Sequence, residues 1–394
     1  MNEEISISPQ IHKAKRVVKL SKNTKHMDVD GAMGIHLQDE IIMDILSLLT
    51  VRSLLRFKCV SKVWKRLILF EPYFKMKHLN RAKNDQNSRK FLVSQMSLDT
   101  DNMFSFYSSS LSSFSSFSSF QLVKDVQKLD CPSNCRPSRC RIYCCRDGLS
   151  LIGVCSYPDK HLVLLLWNPS TRESELLPCP EFPTEEFCTF GLGYDSTSDD
   201  YKILKIDPKA RGEILSLKSG SWRKIDQHPT GVYPVLSCMD SLAFVNGAFH
   251  WLGLSLNDFA VSFSISNEVY GQIPLPYAMC LMENTERGIS VLNGMLCGYC
   301  INSREKDCFC ALVMKDYGVK ESWCPLFVIQ CTNLYSAIPG YRFADGEVLL
   351  YTGNWFYSVL RTSKGPFGLC PQSNTYREGF VCTESVISPK LHYE

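Results

Sequence analysis

Between Leu37 and Asn80 the chain is almost free of Gly and Pro, and its apolar residues return at helical spacing: Ile41, Ile45, Leu48 and Leu49, then Leu54, Leu55 and Phe57, then Trp64, Leu67 and Ile68. An apolar residue every three or four positions predicts three short amphipathic helices. Thr50 and Ser61 stand where N-caps would separate them, and Pro72 ends the third. Three short helices bury too little surface to hold together alone, so part of this face packs on something else, either a partner or the chain's own second domain.

Beyond Arg81 the pattern changes to short apolar runs broken by Gly, Pro, Asn and Ser, the mark of strands and turns. Pro180, Pro229, Pro276, Pro325 and Pro371 recur every 46–49 residues, each closing the same sequence of apolar run, polar turn and second short run. Asp147-Gly148, Asn246-Gly247, Asn293-Gly294 and Asp345-Gly346 keep a similar beat. Such pairs between apolar runs predict hairpin turns, because both central residues need positive φ. This period, with about four strands per unit, predicts a β-propeller of the kelch kind. Five units are visible between residues 132 and 371. Phe91-Leu92-Val93 and Phe120–Val123 before them, and Gly379–Cys382 and Ser385–Ile387 after them, supply strands from both ends for one more blade. Closing the ring in this way removes two sheet edges, so six blades are favoured over five. The Ser/Phe-rich run from Ser105 to Phe120 reads as a flexible loop. The expected chain is an α + β multi-domain protein: a basic disordered tail (1–34), a helical head (35–80), a linker holding the Ser/Phe loop and the first strands (81–130), and the propeller (131–390).

Composition narrows the function. With 394 residues, 45% hydrophobic and 21% charged, the chain suits one small and one large globular domain. A net charge of +3 without a basic cluster does not suit nucleic-acid binding. The apolar run His161–Trp167 is of strand length, far from the roughly 20 residues a membrane helix needs. Residues 1–30 carry Lys13, Lys15, Arg16, Lys19, Lys22 and Lys25 with no apolar core after them, so no secretory signal is read and the cytosol or nucleus is expected. The 19 cysteines are accordingly expected as reduced thiols, most of them acting as small buried apolar residues.

No set of residues argues for catalysis. Cys131, Cys135, Cys140, Cys144 and Cys145 could hold zinc, but their spacing departs from paired C-x2-C knuckles and Cys144-Cys145 falls where the repeat demands a strand, so core or loop cysteine is the better reading. Cys297-Gly298-Tyr299-Cys300 has a redox spacing yet follows an Asn-Gly turn in a strand pattern, with Cys308 and Cys310 on the returning strand. Asp195, Asp199 and Asp200 lack a calcium loop and read as a solvated hairpin tip. The eight histidines are scattered, and neither a nucleophile elbow nor a phosphate loop is present. No catalytic residue, cofactor or metal is assigned.

The run Leu37–Trp64, above all Val51-Arg52-Ser53-Leu54-Leu55-Arg56-Phe57-Lys58-Cys59-Val60-Ser61-Lys62-Val63-Trp64, closely resembles the F-box of plant F-box proteins. It departs at Gln38 and Thr50, where that family usually carries proline; without the preset dihedral these turns weaken by a few tenths to about 1 kcal/mol each. The phrases Trp167-Asn168-Pro169-Ser170-Thr171-Arg172, Gly191-Leu192-Gly193-Tyr194-Asp195, Ser219-Gly220-Ser221-Trp222-Arg223 and Val245-Asn246-Gly247-Ala248-Phe249-His250-Trp251 are similar to the kelch-like F-box-associated domain of the same plant proteins, among them the S-locus F-box-like group with members in self-incompatibility. The resemblance implies a substrate-recognition subunit of an SCF-type ubiquitin ligase, with the head on a Skp-family adaptor, cullin joined through it, and the propeller holding a target protein for degradation. Carried over, Leu37, Ile45, Leu46, Leu49, Leu54, Val60, Ser61 and Trp64 would form or support the adaptor contact. Two other readings stay open: an adaptor-binding scaffold outside the ligase, and a propeller that binds carbohydrate or a small molecule.

Overall fold

The computed structural model describes residues 39–96, 104–112, 126–132, 137–156, 162–182, 188–225, 241–253, 258–280, 287–302, 308–330, 337–352, 359–362, 365–367 and 377–390. The basic tail read over 1–34, Leu37, Cys135, Pro229, Pro371 and the Ser/Phe run beyond Ser112 lie outside these residues.

Among the described residues the head holds four helices, one more than the periodicity predicts: α1 (Asp39–Ser47), α2 (Val51–Phe57), α3 (Lys62–Phe70) and α4 (Pro72–Asn84). Both predicted caps are in place. Thr50 Oγ1 accepts from the Ser53 amide at 3.3 Å and Ser61 Oγ from the Trp64 amide at 3.1 Å, each filling a donor the first helical turn leaves open. Pro72 ends α3 and also starts α4, since its fixed φ and missing N–H suit a first helical position. α4 is sparse in apolar residues, which hid it, and it buries Phe74, His78, Leu79 and Ala82. Phe74 packs with Leu46, Leu49, Val51, Leu54 and Ile68 in the head's own core, whereas Leu79 enters the propeller core. Thus one helix belongs to both units.

Beyond the head, the described strands form six four-stranded antiparallel sheets. The first takes β1 (Arg89–Met96), β2 (Phe104–Ser110) and β3 (Gln127–Leu129) from the start of the body. The second holds β4 (Pro137–Arg146), β5 (Leu149–Ser156), β6 (Leu162–Asn168) and β7 (Glu173–Leu176); the third, β8 (Thr189–Asp195), β9 (Asp200–Ile206), β10 (Gly212–Ser216) and β11 (Ser221–Ile225). The fourth is β12 (Ala243–Val245), β13 (Ala248–Trp251), β14 (Phe259–Ser264) and β15 (Tyr270–Pro274); the fifth, β16 (Arg287–Leu292), β17 (Met295–Asn302), β18 (Cys308–Met314) and β19 (Trp323–Gln330). The sixth is β20 (Ala337–Arg342), β21 (Val348–Thr352), β22 (Val359–Arg361) and β23 (Gly365–Phe367). Last in the chain, β24 (Arg377–Thr383) returns to pair with β1 and becomes the innermost strand of the first sheet. The innermost strands β24, β4, β8, β12, β16 and β20 touch in that order and back to β24, which makes a closed propeller.

Each gap between neighbouring sheets is filled by its own apolar cluster. This explains why β6 reads as an unbroken apolar run: Leu164 and Leu166 face the third sheet, while Leu165 and Trp167 face the first. Three of the Gly-containing turns are two-residue hairpins with both φ positive, at Asp147-Gly148 (54°, 85°), Asn246-Gly247 (50°, 72°) and Asn293-Gly294 (50°, 78°). Asp345-Gly346 departs from the prediction, because only Gly346 has positive φ and the link from β20 to β21 is five residues long. The periodic prolines are not all equivalent either: Pro180 and Pro276 follow outermost strands, whereas Pro325 lies inside one, where an edge tolerates a residue without N–H.

Two further expectations are corrected. Ser105–Ser110 is not a loop but part of β2, paired to β1 and β3; Phe104 and Phe106 alternate into the core against Trp167, a period of two that the repetitive composition masked. Asp195 and Asp200 are buried rather than solvated, at 1% and 4% exposure. Asp195 accepts from Lys202 Nζ (2.7 Å), Ser198 Oγ (2.7 Å), Ser266 Oγ (2.6 Å) and the Thr197 amide (3.0 Å). Burial alone would raise its pKa, but these donors outweigh it and hold the carboxyl below the usual range.

The chain after β24 joins the two units. Ser385 Oγ donates to the Asp147 carbonyl at 2.7 Å, and Asn168 Nδ2 donates to the carbonyls of Ser385 (3.0 Å) and Ile387 (2.8 Å). Val386 packs into the head core and Ile387 into the propeller core. Beside them Lys83 of α4 pairs with Asp147 at 2.7 Å.

Removing residues 372–394 is expected to leave β1 without its inner partner and the head without its clamp. The 1–371 fragment should aggregate and lose cooperative melting; a soluble fragment with near-normal thermal unfolding would contradict ring closure by β24. A second expectation concerns pH. His250 on β13 donates from Nδ1 to the Ala243 carbonyl (3.1 Å) and accepts at Nε2 from the Tyr317 hydroxyl of the fifth sheet (2.7 Å). Burial lowers its pKa to about 4, with backbone bonds to Ala243 and Ala248 opposing. A folded-state pKa below the unfolded value of 6.5 means that this stability is whole above 6.5 and is lost as pH falls towards about 4. Between about pH 7 and pH 5 the unfolding free energy should drop by about 2 kcal/mol from this group, and in His250→Gln, measured by denaturant titration, that part of the drop should vanish.

Candidate functional site

The head exposes more apolar surface than its own core or the docked propeller uses. Ile41, Leu48, Val60, Val63, Phe70 and Tyr73 remain in solvent, Val63 at 60% and Phe70 at 67% exposure. α3 reads Lys-Val-Trp-Lys-Arg-Leu-Ile-Leu-Phe, with too many apolar positions for one stripe. Trp64, Leu67, Ile68 and Leu69 turn to the core, and Val63 and Phe70, seven residues apart, form a second stripe. No acidic residue occurs between Asp44 and Glu71, whereas Arg52, Arg56, Lys58, Lys62, Lys65 and Arg66 do. The surface is therefore apolar with a basic surround.

The eight residues carried over from the resemblance divide by burial. Leu46, Leu49 and Leu54 are enclosed in the head core at 6% exposure or less and can only support a contact. Ile45 and Trp64 are half-buried, with Trp64 edge-on to Phe57 at 5.7 Å. Val60 and Ser61 are exposed, the latter committed as a cap. Ile41, Leu48, Val63, Phe70 and Tyr73 were absent from that set, although the surplus apolar positions of α3 were a readable signal for two of them.

The head sits at the end of the ring that carries the turns Asp147-Gly148 and Asn168–Thr171. At the other end the third sheet holds a buried ion pair, Lys205 Nζ to Glu213 Oε2 at 2.9 Å, both side chains 1% exposed. Glu213 Oε1 also accepts from the amides of Glu181 (2.8 Å) and Phe182 (3.2 Å), while Lys205 donates to the Phe182 carbonyl. The Arg211 guanidinium covers the Phe182 ring at 4.1 Å. This arrangement fastens a connection between the second and third sheets.

Among the described residues no group of three or more His, Cys, Asp or Glu could hold a metal. Cys144 and Cys145 lie in β4, as the repeat required, and burial pushes the Cys144 thiol up to about 12. Cys297 and Cys300 are in β17, not at a helix start; Cys300 stands opposite Cys310, and burial raises the two thiols to about 12 and about 11. Thiols held protonated are poor nucleophiles.

A four-helix head with capped α2 and α3, joined to this closed propeller, matches two known domain families. The F-box domain covers residues 35–75, and the F-box associated beta propeller domain covers residues 95–335, more than half of the chain. The chain belongs to the F-box-associated β-propeller family. An F-box/kelch-repeat protein of Arabidopsis thaliana is 26% identical over 373 residues, covering 89% of this chain and 95% of its own length. The F-box protein CPR1 of the same plant is 26% identical over 327 residues, 74% of this chain and 72% of its own. The exposed apolar surface is thus the surface of an F-box, and the fastened connection lies at the far end of its propeller.

Replacing Glu213 with Ala leaves Lys205 buried without its carboxylate and should cost about 3–5 kcal/mol. Lys205→Met with Glu213→Leu should recover most of it; urea unfolding of the single and double variants checks both.

Proposed function

We propose that this F-box protein is the substrate-recognition subunit of an SCF-type ubiquitin ligase acting in the cytosol or nucleus. The head docks on a Skp-family adaptor, cullin joins through the adaptor, and the end of the propeller remote from the head holds the target protein. The observation that carries this reading is that Val63, Phe70 and their neighbours stay exposed with the propeller already docked, so the surplus face of the head is left for another chain. Its basic surround suits a partner surface that is apolar at the centre and acidic at the rim.

The mechanism is proximity. A target held at a fixed place relative to the ubiquitin carrier meets it at high effective concentration, and the residues of this chain need only bind and hold. The clamp formed by Asn168, Ser385, Lys83 and Asp147 supports this by fixing the head on the propeller.

Val63→Glu with Phe70→Glu should lower affinity for a purified Skp adaptor at least about 10-fold without lowering the melting temperature, because both side chains are exposed. Unchanged adaptor capture would defeat the reading. Cullin missing from the complex would favour the scaffold role instead.

A further inference from the structure

The six outermost strands of a propeller are open sheet edges, and five of them carry a feature that discourages pairing with another chain. β3 is three residues long with Lys128, β7 carries Glu173 and Glu175, β11 carries Arg223 and Lys224, β15 has Gly271 and ends in Pro274, and β23 is three residues long with Pro366. β19 has neither charge nor shortness: eight residues, Trp-Cys-Pro-Leu-Phe-Val-Ile-Gln, at the edge of the fifth sheet. Pro325 and the register irregularity near Leu326 blunt its first half only. Beyond them Phe327 stacks on Phe309 at 6.0 Å and holds the strand in place, while Val328 stands in solvent at 61% exposure.

We propose that this edge pairs with the same edge of a second copy of the chain, antiparallel and two-fold about Val328. The strand is complementary to itself. A two-fold on Val328 sets Val328 against Val328, Phe327 against Ile329 and Leu326 against Gln330, and no charged residue occurs from Ser322 to Tyr341, so no like charges are brought together in this or any nearby register. Among the described residues the position is also open, with Val328 exposed. The head sits on the second sheet, three places round the ring from the fifth, and pairing through β19 leaves both heads accessible. The product is a continuous eight-stranded sheet shared by two propellers. Strand addition alone buries little area, so the dimer is of the weak, reversible kind.

Sedimentation velocity of the full chain from about 1 to about 100 µM should show a monomer–dimer equilibrium. Val328→Lys should weaken it at least about 10-fold by placing two lysines across the axis, and so should Val328→Glu. Mixing the Lys and Glu variants should restore the dimer, which separates pairing at this edge from a folding defect. A wild-type chain that stays monomeric over the whole range overturns the proposal, as does a dimer indifferent to Val328→Lys. A chain that stays monomeric yet takes up an added peptide of the sequence 323–330 also overturns it and assigns the edge to extended segments of other proteins.

Discussion

The pairing of β24 with β1 is the contact on which the rest of the molecule depends. A ring of sheets has no stable open form short of accepting two unpaired inner edges, and here the register from Arg89↔Thr383 to Gln95↔Arg377 closes it between residues nearly three hundred positions apart. The same segment continues into the clamp, where the Glu384 amide donates to the Ser88 carbonyl and Val386 enters the head core. Ring closure by β24 and the clamp that seats the head thus lie in one continuous segment, residues 377–387.

Packing follows from closure. Every sheet packs on both faces against its neighbours, so the inner strands are largely apolar on both sides while outer strands such as β7 and β11 carry charge. Buried polar pairs sit where sheets or connections meet: Asp195 with Ser266 between the third and fourth sheets, His250 with Tyr317 between the fourth and fifth, and Glu213 with the connection that follows the second. Burial keeps the Cys297 thiol protonated and His250 neutral at neutral pH, and His250 spends both ring nitrogens on the Ala243 carbonyl and the Tyr317 hydroxyl. Exposed apolar residues are found on the head, at Val63 and Phe70, and on the propeller at Leu176, Val269, Tyr277 and Val328.

Position then gives those features meaning. α4 buries residues in both cores, so the apolar stripe of the head is presented from a unit fixed on one end of the ring, and the connection held by Lys205 and Glu213 lies at the other.

Local features were legible in the sequence because their causes are local. A hydroxyl before a helical stripe caps it, as Thr50 and Ser61 do; Asn-Gly between apolar runs turns, as at residues 246–247 and 293–294; and a recurring proline spacing announces repeated sheets. The family could be read from such fixed positions. What the sequence left undecided rests on distant partners. Whether Asp195 is solvated depends on Ser266, brought in from another sheet, and whether Ser105–Ser110 is loop or strand depends on β1. Which apolar residues of the head are core and which are surface depends on where the propeller and Val386 cover it: helical spacing places Leu54 and Leu48 alike on apolar stripes, and only the assembled fold encloses the first and leaves the second in solvent.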